Sequence, residues 1–391
     1  MSEESSVNER KREDGGGGDE SAQKECKHVE ILLDIDYVDD YIDSCIPATL
    51  QQGGEEGRAM RGRGRGRGRG RLDDVEAEMI ESDEEVEAIF INHEDVQALS
   101  PDAATSSVPI SPGEKVRMWT EEILPNFESV IRKKWVHALW KQGIPWKLRQ
   151  NVWPRAIGNK LNLDHDKYES LAMVVNDRSF FIPGIEIINN DLPRTKLKGK
   201  DVDEAQLRVL LCTVSALQPE VGYVQGMSYL GAIFLLFMAP AEAFVCLGNL
   251  LSCRFFPSFL RMDAEKIELR WKVFEILLGQ ELPDLAYHFH TIGFSSDLII
   301  TEWWLTIFSK NFPVELSCRV WDCFLLEGES FLFRAALGLC LLLRDRMVGR
   351  AMEDCHAVLM RSGESVEAED FFRAVGDVKA SSKFIREMLE A

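Results

Sequence analysis

The chain has 391 residues, of which 45% are hydrophobic, and its formal net charge is −20 with an isoelectric point near 4.9. A chain of this length can bury a substantial core, as one large domain or two smaller ones. The excess of negative charge excludes wholesale binding to nucleic acids or anionic lipids, because both are polyanions. Any basic surface must therefore be local.

Residues 1–118 are predicted to form a disordered acidic tail. The segment is poor in aromatic residues and rich in Glu, Asp, Gly and Ser, a composition that cannot offset the entropy lost on ordering. Its first residues, MSEESSVNERKRED, lack the apolar stretch of a secretory signal. The later stretch VEILLDIDYVDDYIDSCIPATL alternates acidic and apolar residues. It suits either a partner-binding element that orders on contact or a chance hydrophobic island.

Arginine and glycine alternate strictly from Arg61 to Arg71. Arginine brings charge and planar stacking, so one interpretation is a weak contact with RNA or with a reader of methylated arginine. The acidic stretch DDVEAEMIESDEEVEAIF follows immediately and can neutralise the tract. This arrangement favours a solvated linker over a nucleic-acid contact.

From residue 119 to 391 the pattern predicts one all-α domain of many helices. In EAQLRVLLCTVSAL the residues Leu207, Leu210, Leu211, Val214 and Leu217 lie on one helical stripe. EKIELRWKVFEILL has the same character, and Pro and Gly at QPEVG and FPVEL separate successive helices. No linker divides the domain.

The longest apolar run, YLGAIFLLFMAPAEAF, is interrupted by Pro240 and Glu242. It is too short for a membrane span, so we predict a buried core helix and no integral membrane segment. The nine cysteines are scattered without CxxC spacing, which indicates free thiols in a reducing compartment and no metal site.

The motifs of an enzyme with its own active site are missing from the sequence. There is no GxxxxGK[ST], and GMSYLG misses the GxSxG nucleophile elbow by one residue. Two polar islands stand out on otherwise apolar ground, IEIINNDLPRTK and VGYVQGM. In the first, Asp191 can hold Arg194 three residues later and fix its direction. In the second, burying the amide of Gln225 without partners would cost about 1–3 kcal/mol, so it is either satisfied locally or exposed for a purpose.

Four blocks, in this order, resemble the signature of the TBC domain. They are GIPWKLRQNVW at 143–153, IINNDLPRT at 187–195, GYVQGMS at 222–228 and WWLTIFSKNFPVELSCRVWDCFLLEG at 303–328. The resemblance covers most of residues 135–350. The family comprises GTPase-activating proteins for Rab-type small GTPases, so it implies an all-α domain whose partner is a GTP-bound Rab.

The resemblance carries the family's functional positions onto this sequence residue by residue. The IxxDxxR motif falls on Ile188, Asp191 and Arg194, and the YxQ motif falls on Tyr223 and Gln225. It implies that Arg194 and Gln225 act in trans as an arginine finger and a glutamine finger. Asp191 would hold the arginine, and Tyr223 would support the glutamine loop.

Gly226, Thr195 and Arg149 complete the candidate site as supporting residues. Gly226 permits close approach of the backbone to a partner. Thr195 follows the arginine directly, and Arg149 belongs to the first block. For Arg149 and Asp322 the other interpretation is that they are buried or half-buried structural partners, because a helical domain must pair such charges. The large aromatic residues of the matched blocks are expected to fill the core: Trp153, Trp303, Trp304 and Trp321.

The resemblance implies no cofactor for this chain, since GTP and Mg²⁺ belong to the partner GTPase. It also implies a role in regulating vesicle trafficking. Because the sequence encodes no anchor, we expect a cytoplasmic protein that reaches endomembranes transiently, through its GTPase or through the tail. Two alternatives remain open: a TBC scaffold that binds a Rab with little or no activation, and an adaptor that binds RNA through the Arg-Gly tract. The chain departs from the family at KLKGKDVDEAQ after Thr195 and at LLCTVSAL, both near the expected GTPase surface, which leaves the identity of the Rab open.

Overall fold

The computed structural model of the chain describes residues 110–176, 181–219 and 221–390. Over these ranges the chain forms eighteen α-helices, with a π-helical turn at Met118–Ile123 and several short 3₁₀ turns, and no β-strand. The α-helices are α1 Pro112–Arg117, α2 Phe127–Val130, α3 Lys134–Lys141, α4 Arg149–Ile157, α5 His165–Val175, α6 Ile185–Asp191, α7 Glu204–Leu217, α8 Met227–Leu235, α9 Pro240–Leu251, α10 Phe255–Leu260, α11 Ala264–Glu281, α12 Pro283–Thr291, α13 Asp297–Leu305, α14 Val314–Glu327, α15 Glu329–Met347, α16 Met352–Met360, α17 Ala368–Asp377 and α18 Ser382–Glu390. The all-α class predicted from the sequence is confirmed.

The predicted boundary between tail and domain, at residues 118 and 119, lies among the described residues. Helix α1 starts at Pro112, a residue suited to the first helical position, and the Ser111 side chain accepts a hydrogen bond from the Glu114 amide at 3.2 Å. The helix continues directly into the π-helical turn, where Trp119 is fully buried. The predicted domain start at residue 119 thus lies inside a continuous helical segment. The Arg61–Arg71 tract and the acidic stretches around it lie outside the described residues.

Helix α7 has the bounds of the quoted amphipathic stretch. Its N-terminus is capped by Asp203, whose carboxylate accepts hydrogen bonds from the amides of Ala205 and Gln206 at 2.9 and 3.1 Å. Its apolar stripe is buried, including Leu207 and Leu210. The helix packs against α5, α6, α8 and α9, so it is the centre of the N-terminal half of the domain.

The long apolar run forms two buried helices, α8 and α9, so the prediction of a single helix was wrong. Helix α8 ends at Leu235 and α9 begins at Pro240. Pro240 has no amide hydrogen to donate, and it forces Ala239 into an extended conformation with φ −66° and ψ 158°. The chain therefore turns between the two helices. None of the described helices is long and apolar enough to cross a lipid bilayer.

Helix α15 is the centre of the C-terminal half, where it packs against α14, α16, α17 and α18. Helix α14 also packs against α3 and α4 and joins the two halves. The four tryptophans expected in the core are all fully buried, and the rings of Trp153 and Trp321 stack with centroids 5.4 Å apart. The seven cysteines among the described residues are free and buried.

Candidate functional site

The first loop of the candidate site follows the short helix α6. Gly184 precedes the helix with a φ of +76°, and a Cβ there would lie 2.8 Å from the Tyr223 Cβ, so this glycine lets the second loop approach closely. Ile188 is fully buried and anchors the helix. Asp191 lies three residues later on the same inward face and is also buried. Pro193 then forms a 3₁₀ turn that carries Arg194 outward.

Arg194 is held by its own loop but remains exposed. Its Nη2 donates to Asp191 Oδ1 at 2.6 Å, and its Nε donates to the Asn190 carbonyl at 3.0 Å. Neither contact uses Nη1, and the side chain is 61% exposed. An exposed ion pair of this kind adds little to stability, so its main consequence is to fix the direction of the guanidinium.

The second loop, from Val221 to Gly226, is attached to the other oxygen of the same carboxylate. Asp191 Oδ2 accepts hydrogen bonds from the Tyr223 hydroxyl at 2.7 Å and from the Gly226 amide at 3.1 Å. The Tyr223 oxygen in turn accepts from the Ser228 amide at 3.2 Å. Burial raises the pKa of Tyr223, so the phenol is a neutral donor at neutral pH. One buried carboxylate therefore joins the two loops.

Gln225 stands between the two anchored residues of the second loop, and its side chain is exposed. The loop can turn here because Gly226 has a φ of +99°, a conformation that L side chains rarely adopt. Since Tyr223 and Gly226 are both bound to Asp191, the backbone under Gln225 is fixed while its amide stays in solvent. The amide therefore carries no burial cost.

Thr195 lies between the two loops. Its hydroxyl donates to the Asp191 carbonyl at 2.8 Å and lies 2.6 Å from Ser228 Oγ, within hydrogen-bond distance. Next to it, the Tyr229 hydroxyl donates to the Arg194 carbonyl at 3.0 Å. Sequence reasoning missed Ser228 and Tyr229. The available signal was two hydroxyl side chains inside an apolar run, because a buried hydroxyl requires a partner.

Arg149 lies in a different network, inside the core. Its Nε and Nη2 donate to Asp322 Oδ1 and Oδ2 at 3.1 and 2.7 Å. The carboxylate also accepts from Trp153 Nε1 at 2.8 Å and from the Ile144 amide at 2.9 Å. Burial opposes the charge of Arg149, but the facing Asp322 outweighs it and the pKa of Arg149 is raised. This placement matches the buried ion pair considered for Arg149, and it separates this residue from the exposed loops.

The segment after Thr195, where the sequence departs from the family pattern, begins with three lysines and is partly anchored. Lys198 Nζ donates to the Asn311 carbonyl at 2.7 Å, and the Lys198 carbonyl accepts from the Val314 amide at 3.1 Å. Lys200 Nζ lies 5.4 Å from the centre of the Trp146 ring. Lys196 is exposed beside the arginine loop. Three acidic residues follow the lysines within KLKGKDVDEAQ, so the segment as a whole carries no net charge.

Solved structures have the same fold class as the described residues. The TBC domain of a Chlamydomonas flagellar RabGAP superposes with a TM-score of 0.58 at 23% identity, covering 68% of this chain and 91% of that one. At this level of identity the similarity establishes the fold alone. The described residues therefore have the all-α fold of a TBC domain.

Sequence comparison gives the family. A sequence model of the Rab-GTPase-TBC domain matches residues 146–348. TBC1 domain family member 14 from Bos taurus is 33% identical over 298 residues, covering 69% of this chain and 43% of the relative. Rab GTPase-activating protein eat-17 from Caenorhabditis elegans is 26% identical, covering 69% of this chain and 31% of the relative. The chain belongs to the Rab-GTPase-TBC domain family, and it spans less than half the length of these relatives.

Proposed function

We propose that the chain is a GTPase-activating protein for a Rab-type small GTPase, with Arg194 and Gln225 supplied in trans as two fingers. One observation carries the proposal. The Asp191 carboxylate holds Arg194 through Oδ1 and the loop of Gln225 through Oδ2. The exposed Arg194 side chain and the loop that carries the exposed Gln225 side chain are therefore both attached to one buried carboxylate.

The chemistry of GTP hydrolysis requires what these two side chains supply. Negative charge develops on the phosphoryl oxygens and an attacking water must be aligned, and an arginine supplied in trans is worth about 10³–10⁵ in rate. The planar guanidinium of Arg194 can span two phosphate oxygens, and its Nη1 group is not used by Asp191 or Asn190. The Gln225 amide has both a donor and an acceptor, so it can orient the water. GTP and Mg²⁺ belong to the partner.

The proposed setting follows from the partner. A Rab-type GTPase acts at endomembranes, so the protein is proposed to work in the cytoplasm and to reach these membranes transiently through its GTPase. Accelerated hydrolysis would shorten the GTP-bound state and so regulate vesicle trafficking. The exposed Lys196 beside Arg194 supports contact with an acidic surface near the bound nucleotide.

Phosphate release from a panel of GTP-loaded Rabs tests the proposal. Arg194→Ala and Gln225→Ala are each expected to lower the stimulated rate by about 10³-fold with little change in binding of the GTP-bound partner. The double variant should be little worse than the more damaging single one, because residues acting on one transition state are non-additive. Arg254→Ala is the matched control, since this arginine is 68% exposed and also ion-paired, to Glu390.

Two results would contradict the proposal. Full stimulation by the double variant would remove the two-finger assignment. Binding of a GTP-bound Rab without any acceleration by the wild-type protein would favour the scaffold alternative.

A further inference from the structure

We propose that Tyr229 is a positioning residue for Arg194, because its hydroxyl forms a hydrogen bond with the main chain of the arginine and restrains it. The proposal rests on the proposed function and adds a residue outside the two finger motifs. Tyr229 is buried, and its hydroxyl donates to the Arg194 carbonyl at 3.0 Å. It lies in the first turn of α8, the helix that follows Gln225 and Gly226 directly.

The need for this contact arises where α6 ends. The last carbonyl groups of a helix have no partner within the helix and must be satisfied by side chains, by the following turn or by water. Here the Asn190 carbonyl accepts from Arg194 Nε, and the Asp191 carbonyl accepts from the Thr195 amide and hydroxyl. The Arg194 carbonyl is satisfied from α8, by the Tyr229 hydroxyl.

The two anchors of Arg194 do different things. Asp191 binds the end of a long side chain, through an ion pair that water and salt weaken. Tyr229 binds the base of that side chain from a buried position, which limits the movement of the whole residue relative to α8. The hydroxyls of Thr195 and Ser228, 2.6 Å apart, tie the next residue to the same helical turn.

This anchoring fixes the distance between the two fingers. Gln225 precedes α8 and Arg194 is bound to it, so one helical turn serves as the reference for both. Catalytic positioning is sensitive to small errors, since a misplacement of about 1 Å can cost about a hundredfold in rate. Burial raises the pKa of Tyr229, which keeps its hydroxyl a donor at neutral pH.

Tyr229→Phe removes this hydroxyl and little else. With a Rab from the panel, we expect kcat to fall about tenfold, since one lost hydrogen bond relaxes the loop only in part, while KM stays within about twofold. In an Arg194→Ala background the same change should have no further effect. Amide exchange of the peptide 192–198 should become faster in Tyr229→Phe, whether or not a GTPase is present.

Tyr168→Phe is the matched control. Tyr168 is partly buried on α5, with its ring 5.6 Å from that of Phe244. Its replacement by Phe should leave both kcat and the amide exchange of peptide 192–198 unchanged. Wild-type kcat in Tyr229→Phe, unchanged exchange, or a further loss in the Arg194→Ala background would each overturn the positioning role. If the wild-type protein accelerates no GTPase in the panel, the proposed function itself is overturned. If the wild-type protein is active and Tyr229→Phe is equally active, only the positioning role of Tyr229 is overturned.

Discussion

Asp322 and Asp191 are both buried carboxylates that hold an arginine, and they do so with opposite results. Asp322 is fully buried, and its arginine, Arg149, is only 5% exposed. Asp191 is almost as buried, at 7%, but its arginine, Arg194, is 61% exposed. Both carboxylates accept hydrogen bonds from further donors on separate segments. The difference lies in the arginine and in how it is bound.

The comparison separates a charge pair that belongs to the fold from one that orients a side chain. Arg149 offers Nε and Nη2 to the two oxygens of Asp322, and both charges have lost their water. Such a pair is costly to break, because the remaining charge stays buried without a partner. Arg194 uses one donor on Asp191 and keeps its water, so its pair contributes little to stability. What Asp191 supplies is direction.

The largest effect is expected from the core pair. Asp322→Asn keeps the shape of the side chain but removes the charge that compensates Arg149, and it should destabilise the domain by about 3–5 kcal/mol. Denaturant unfolding measures the loss, and GTPase stimulation should fall together with the folded fraction. If the unfolding free energy stayed near that of the wild type, the assignment of Asp322 as a structural centre would be wrong.

The equivalent change at Asp191 should separate activity from stability. Asp191→Asn loses the charge-assisted bond to Arg194, a bond of a class worth about 1.5–3 kcal/mol, so stimulation should fall roughly 10- to 100-fold. The unfolding free energy should change much less than in Asp322→Asn, because Arg194 remains in water. Measuring rate and unfolding on the same preparations tests this. Equal losses of stability in the two variants would remove the distinction between the two pairs.

The helices could be predicted from the sequence where local periodicity determines them. Helix α7 matches its predicted stretch because a capping Asp203 precedes a clean apolar stripe. Pro240 and Glu242 marked an interruption between α8 and α9, but a single helix was predicted because apolar residues continue on both sides of it. The burial of the four core tryptophans followed from their size and spacing alone.

The candidate site divides in the same way. The motif resemblance pointed to Asp191, Arg194 and Gln225, and the structure places the first buried and the other two exposed. Tyr229 could not be found in this manner, since its contact with Arg194 joins residues 35 apart and no local pattern encodes it. Sequence spacing also could not decide whether Arg149 supports the site or is a buried structural residue, because an arginine suits either role.

A smaller effect is expected from the backbone of the glutamine loop. Gly226→Ala forces a side chain into a φ of +99°, which should cost about 1–2 kcal/mol. The loop can relax more easily than the core, so we expect the main effect to be on activity. GTPase stimulation should fall by a factor several times larger than the factor by which the folded fraction falls. Gly279→Ala is the control: it lies within α11 with open space around it, and it should stabilise the protein by about 0.5–1 kcal/mol. An unimpaired Gly226→Ala would show that the loop tolerates another conformation.

The smallest effect on stability should come from Arg194, the proposed arginine finger. Arg194→Ala leaves Asp191 bound to the Tyr223 hydroxyl and the Gly226 amide, so the buried carboxylate keeps two hydrogen-bond donors. Removing Asp322, in contrast, would leave the buried charge of Arg149 without a partner. The lost pair is exposed at the arginine and screened by salt, so the unfolding free energy should fall by less than about 1 kcal/mol. Denaturant unfolding at low and high ionic strength checks this, and the difference from the wild type should shrink as salt rises. A salt-independent loss of about 3 kcal/mol would show that Arg194, like Arg149, is part of the fold, and that orientation is not the main role of the Asp191 carboxylate.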